Sequence, residues 1–181
     1  ENDLVEGFEQ GIDFLRSIQE CCADIKPVNK VFILGGGNVA IDCARSCLRL
    51  GFSHVEILYR RSRKEMPALP EEIREALAEG VKIRYLTAPL RVVSRWGRIE
   101  GLECVKMKLG APDDSGRRKP IPIEGSNFTL KADMVVAATG QEIDTSFLME
   151  KDRKALTRNN KIWVDPVTCR TDREGLFAGG D

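Results

Sequence analysis

Histidine is nearly missing from this sequence: His54 is the only one among 181 residues. That removes Cys/His zinc sites and argues against a Ser-His-Asp triad. Cys-x-x-Cys is missing too. Cys21 and Cys22 are adjacent, Cys43 and Cys47 lie one helical turn apart, and Cys104 and Cys169 stand alone. Such spacing does not gather thiolates on one loop for redox exchange or an iron–sulfur cluster, so the cysteines read as small buried hydrophobes. Net charge is absent, with 28 basic and 28 acidic side chains. No whole-molecule field then draws the chain to nucleic acid or membrane, and any basic patch must be local. The longest apolar stretches, around 31–34 and 134–138, are far too short to cross a bilayer. Glu1-Asn2-Asp3 shows neither the basic nor the apolar region of a secretion signal. Sixteen glycines and eight prolines exclude collagen-like or linker-like composition. The expectation is a soluble, reduced, cytoplasmic globular protein without a metal site, an acid, a base or a nucleophile of its own. No catalytic residue is expected.

What is present is periodicity. Ile12, Leu15, Ile18 and Cys22 recur at three- and four-residue steps, which predicts a helix ending before Pro27. Val31-Phe32-Ile33-Leu34 is a short continuous apolar run, the pattern of a strand buried on both faces. Three glycines follow, then a helical stripe of Ala40, Cys43, Ala44, Cys47 and Leu48, with Gly51 at its expected end. Residues 55–60 predict a second strand. Pro70, Glu71 and Glu72 open another helix with Ile73, Ala76 and Leu77 inside, and a third strand is expected over 81–86. This alternation predicts an α/β fold, a Rossmann-like central parallel sheet with flanking helices. Strands at 90–94, 99–107 and 128–131 then follow without helices, as an antiparallel β-meander turning at Trp96-Gly97. Residues 110–126, with Arg117-Arg118-Lys119, read as a long solvated hairpin loop within it, a docking surface being the other reading. Residues 132–138 return to an apolar strand, and 161–164 and 176–178 read as two short ones.

Gly35-Gly36-Gly37-Asn38-Val39-Ala40 has the form Gly-x-Gly-x-x-Ala. Alone the pattern is weak, but here a strand precedes it, a helix follows, and a second strand closes the unit within about thirty residues. Gly35 permits the tight turn, Gly37 lets backbone approach a pyrophosphate, and Ala40 keeps helix and strand close. Unpaired N–H groups at the positive end of the helix would meet the phosphates. A glycine turn without a ligand is the alternative. An NAD site normally carries a carboxylate at the tip of the second strand. Here stand Arg60-Arg61-Ser62-Arg63-Lys64, and the nearest acid, Glu56, lies inside the strand. A guanidinium binds a 2′-phosphate with two parallel hydrogen bonds, so NADP(H) is favoured, with Arg60, Arg61 and Arg63 as candidate ligands. A solvated surface cluster is the other reading.

Fingerprint, basic cluster and tail together resemble the pyridine-nucleotide domain of two-dinucleotide-binding flavoproteins, above all the NADPH-dependent glutamate synthase small subunit family. The run from Gly35 to Arg45, then Leu58-Tyr59-Arg60-Arg61-Ser62 and Met66-Pro67-Ala68, is similar to that group. Ala138-Thr139-Gly140 resembles the family's turn where the chain leaves this domain. Thr171 with Leu176-Phe177-Ala178-Gly179-Gly180-Asp181 resembles its second FAD motif. The resemblance implies a glutathione-reductase-like NAD(P)-binding domain, with Gly180 and Asp181 on the FAD side. It also implies three parts: residues 1–29 as a helix and crossover from an FAD domain, 30–140 as the NADP(H)-binding domain, and 141–181 as the return segment. Only one fingerprint is present, and the family's N-terminal iron–sulfur cysteines are absent, so an excised NADPH domain is expected.

By the same resemblance, NADPH bound here would pass hydride to FAD for onward electron transfer, the protein supplying position and electrostatics. The implied partners are the FAD domain of the same polypeptide and a large synthase subunit or an iron–sulfur protein. Pyrimidine-reducing and ferredoxin–NADP transhydrogenase subunits share the pattern. Two other readings stay open: an NADP(H)-binding module without turnover, and a Rossmann-like domain for another adenosine ligand such as S-adenosylmethionine.

Overall fold

The computed structural model describes residues 5–21, 25–113, 116–140, 148–158 and 161–179. They divide into two units, Glu1–Gly140 and Gln141–Asp181. In chain order the first unit contains β1 (Phe8–Gln10), α1 (Gly11–Cys21), β2 (Lys30–Leu34), α2 (Asn38–Arg49) and β3 (His54–Leu58). A one-turn 3-10 helix, Arg63–Glu65, follows β3. Then come α3 (Pro70–Glu79), β4 (Lys82–Arg84), β5 (Thr87–Arg95), β6 (Arg98–Pro112), β7 (Arg118–Pro122), β8 (Phe128–Lys131) and β9 (Met134–Ala137).

Five strands form a sheet in the order β1-β9-β2-β3-β4, with every neighbouring pair parallel. The continuous apolar run of β2 has a direct physical cause, since both faces of the sheet are covered. Val31 and Ile33 pack with Phe14 of α1, Ala40, Ile41 and Ala44 of α2, and Ile73 and Ala76 of α3. Phe32 and Leu34 pack on the opposite face against Ile99, Leu102 and Cys104 of β6. That second layer is antiparallel, with β6 pairing β5, β7 and β8. The expected fold class therefore holds. The turn between β5 and β6 has Trp96 and Gly97 both at positive φ (51° and 78°), the two-residue hairpin geometry that matches strand twist.

Residues 5–21 hold the expected helix and pack with the first unit: β1 pairs with β9, Phe8 opposite Val135, and Phe14 is buried. The packed unit thus begins well before residue 30. The hairpin expected over 110–126 contains more strand than its polar sequence suggests, because β6 runs on to Pro112 and pairs with β7. Pro120 and Pro122 argue against a strand, but β7 pairs only with β6, and proline is tolerated at a sheet edge.

The second unit holds α4 (Glu150–Leu156) and a small antiparallel pair, β10 (Thr157–Arg158) with β11 (Lys161–Ile162). Arg173 pairs with Asp152 at 2.6 Å. The Asp165 carboxylate accepts from the backbone and hydroxyl of Thr168 at 2.7 and 2.8 Å, which holds its carboxyl below the usual range. The strand expected over 176–178 is a single bridge between Arg170 and Phe177.

Candidate functional site

Leu34, the last residue of β2, lies opposite both Leu58 and Ala137. The glycine turn therefore rises between two other strand ends, at the carboxyl edge where open α/β sheets take ligands. Gly35 has φ +140° and donates to the Leu58 carbonyl at 3.1 Å. A Cβ there would stand 2.2 Å from the Ala138 carbonyl oxygen, so only glycine fits. Ala138 in turn donates to the Leu34 carbonyl at 2.8 Å, which sets Ala138-Thr139-Gly140 beside the turn. Ala40 is fully buried against the strand.

The three glycines have different surroundings. A Cβ at Gly36 would lie 2.5 Å from the Tyr59 ring, and the Gly36 carbonyl accepts from the Ala68 N–H at 3.1 Å. Gly36, expected on the cofactor, is thus needed by the packing of the turn itself. The Asn38 side chain also faces the protein, accepting from the Leu69 N–H at 3.1 Å. Gly37 differs from both. Its backbone is extended (φ −88°, ψ 178°), it precedes α2, and a Cβ there would meet nothing within 4 Å. Its carbonyl accepts from Ala40 and Ile41 at 3.0 and 3.3 Å. Among the described residues the N–H groups of Gly36, Gly37, Asn38 and Val39 find no acceptor. Unpaired donors at the positive end of a twelve-residue helix suit a phosphate.

The basic cluster stands past the tip of β3. Arg60 is exposed. Arg61 is turned inward, where Nη2 meets Asp113 Oδ2 at 2.5 Å and Nε donates to the Arg118 carbonyl at 2.8 Å. Its side chain is 5% exposed. Of the two guanidiniums expected on a ligand, that of Arg61 is held by these partners and ties the chain past β3 to the β6–β7 hairpin. Arg63 is exposed in the 3-10 turn, which is capped by Ser62; the Ser62 hydroxyl holds the Glu65 carboxyl below the usual range. Glu56, the acid nearest to Arg60 in sequence, accepts from Arg84 at 2.8 Å. The hairpin contribution was not legible in the sequence, since Asp113 and Lys119 lie more than fifty residues from Arg60. Arg60, Arg61, Pro112, Asp113, Lys119 and Pro120 line one open depression of about 510 Å³. Gly180 and Asp181, expected on the FAD side, lie outside the described residues.

The family described as pyridine nucleotide-disulphide oxidoreductase matches over residues 2–181. The chain belongs to that family. Among family relatives it is 48% identical to the NADP(+)-dependent formate dehydrogenase subunit beta of Moorella thermoacetica, over 100% of this chain and 25% of that one. It is 39% identical to the glutamate synthase [NADPH] small chain of Azospirillum brasilense, over 83% of this chain and 31% of that one. The chain thus spans about a quarter to a third of the curated relatives it matches. The crystal structure of T. acidophilum thioredoxin reductase superposes with a TM-score of 0.65 at 20% identity, covering 97% of this chain and 49% of that one. That likeness shows the fold.

The family name mentions a disulphide, and the thiols here bear on it. Cys43 and Cys47 are fully buried on α2, and burial pushes both thiols up to about 12. Cys104 is buried and raised to about 11 for the same reason. Thiolate is the reactive form, so these three are packing groups.

Proposed function

We propose that this chain is the NADP(H)-binding domain of a flavin-dependent oxidoreductase like the glutamate synthase small subunit. The observation that carries the reading is Gly37, whose open face and unpaired neighbouring N–H groups stand at the start of α2. The residues fit a dinucleotide there. Gly37, Asn38 and Val39 offer backbone donors to the pyrophosphate, and Gly35 and Gly36 hold the turn in shape. Ala138, Thr139 and Gly140 border it from β9. Arg60 reads the 2′-phosphate, with Arg63 beside it, and no free carboxylate stands at this tip among the described residues, which argues against a ribose hydroxyl in its place. The two most informative relatives carry NADP(+) or NADPH in their names.

Held by these residues, NADPH would supply a hydride from its nicotinamide for the FAD of the whole protein. The domain's own work is to bind and orient, which accords with the expectation that it carries no acid, base or nucleophile for the step. We assign residues 5–140 to the NADP(H)-binding part and 141–181 to the segment returning to an FAD domain of the same polypeptide, where Gly180 and Asp181 meet FAD. A large synthase subunit or an iron–sulfur protein is the downstream partner, in the cytoplasm. No described helix is long and apolar enough to cross a membrane.

Fluorescence titration with NADPH, NADH and S-adenosylmethionine tests the reading. NADPH binding tightest, and lost in Gly37→Val with an unchanged circular dichroism spectrum, is the expected result. Tightest binding of S-adenosylmethionine, or full NADPH affinity in the variant, would overturn it.

A further inference from the structure

The depression beside Arg60 has a second wall that belongs to neither the glycine turn nor β3. It is made by the hairpin of β6 and β7, which comes from the antiparallel layer. Three features hold that hairpin in place. Arg61 joins it at Asp113 and at the Arg118 carbonyl. The Arg118 guanidinium donates back to the Leu109 carbonyl at 3.1 Å. Pairing also shifts between Leu109 and Pro112, so the extra residues of β6 stand opposite Lys119. Such a bulge bends a strand and re-aims a side chain.

We propose that Lys119 is a second cation for the 2′-phosphate of the adenosine ribose, delivered to Arg60 by the Arg61–Asp113 clasp. The inference rests on the NADP(H) reading above and adds a specificity residue to it. Charge supports it. A phosphomonoester carries about −1.5 to −2 at neutral pH, more than Arg60 alone can balance. The depression's walls hold Arg60, Arg61, Lys119 and Asp113, whose charges leave two positive. Arg61 and Asp113 neutralise one another, so the two cations facing the ligand are Arg60 and Lys119, and both are exposed. Among the described residues no carboxylate pairs with either. A lysine serves as a point charge and an arginine as a planar fork, so the two complement one another on a phosphate.

The test uses the 181-residue chain and two small probes, adenosine 2′,5′-bisphosphate and 5′-AMP, measured by calorimetry. Lys119→Gln is expected to weaken the bisphosphate about ten-fold or more, one charge-assisted contact, and to leave 5′-AMP unchanged. Lys119→Arg should restore most of the loss. Inorganic phosphate as competitor separates a free-phosphate site, which it would saturate equally in both proteins, from a ribose-phosphate site. An unchanged bisphosphate affinity in Lys119→Gln, or equal weakening of both probes, would overturn the proposal. Arg60→Ala separates the two levels. If it weakens the bisphosphate while Lys119→Gln does not, the NADP(H) reading stands without Lys119. If neither variant has an effect, the 2′-phosphate reading itself fails.

Discussion

The glycine turn and the basic pole grow from neighbouring strand ends, Leu34 and Leu58 being register partners, yet they are built in opposite ways. The turn is backbone: a positive φ at Gly35, an aromatic ring against Gly36, an open face at Gly37. Its three glycines are consecutive, with Tyr59 and Ala138 packed against them, and the ligand proposed for it would meet N–H groups rather than side chains. The pole is side chain. Arg60, the Arg61–Asp113 pair and Lys119 come from two layers of the fold, and their placement depends on how the antiparallel sheet covers the parallel one. A backbone site is local and fixed by sterics. A side-chain site is assembled late, by tertiary packing, and its members differ in role even when adjacent.

Substitutions that test this contrast differ in how far they should destabilise the protein. Gly35→Ala should have the largest effect. It places a Cβ 2.2 Å from the Ala138 oxygen at φ +140°, combining backbone strain with overpacking, each of about 1–3 kcal/mol. At roughly 2–4 °C per kcal/mol for this size, the melting temperature should fall by about 10 °C; an unchanged melt would mean the turn is not sterically fixed. Asp113→Ala comes next. It leaves the buried Arg61 with the Arg118 carbonyl but without its carboxylate, and because Asp113 is itself part-exposed the cost should be about 2 kcal/mol, below the range for a fully buried pair. Urea denaturation of this variant checks it, and a loss under about 0.5 kcal/mol would reduce the clasp to a surface contact. The thiols behind the turn should show the smallest effect. The folded Cys43 and Cys47 thiols, pushed up to about 12 from an ordinary 9.0, hold their protons more tightly than unfolded thiols. Their stabilisation is therefore complete below pH 9.0 and is lost as pH climbs toward about 12. Urea midpoints should decline from pH 8 to pH 10 less steeply in a Cys43→Ala, Cys47→Ala variant than in the parent chain. Equal slopes would contradict that origin.

Much of the turn was legible in the sequence because its causes are local. The apolar run 31–34, the three glycines and the helical stripe after them all lie in one stretch, and each has a steric or hydrophobic reason to adopt its form. What that stretch could not reveal was that the Tyr59 ring packs against Gly36 and leaves no room there for a side chain. At the pole, Arg60 and Arg61 are indistinguishable as residue types. Both lie in a bend past β3, and which of them turns inward is decided by Asp113 and Arg118 of a hairpin more than fifty residues on. That hairpin was itself obscured by Pro120 and Pro122, tolerable only at a sheet edge. Strand β1 escaped notice because three residues carry no periodicity.

The central claim is that the tip of β3 reads a 2′-phosphate while the glycine turn holds the rest of the dinucleotide. Dissociation constants for NADPH and NADH, measured side by side on the parent chain and on Arg60→Ala, test it most directly. One charge-assisted contact is worth about 1.5–3 kcal/mol, so Arg60→Ala should weaken NADPH about ten-fold or more and leave NADH unchanged. Equal losses for the two nucleotides, or no loss for either, would contradict it.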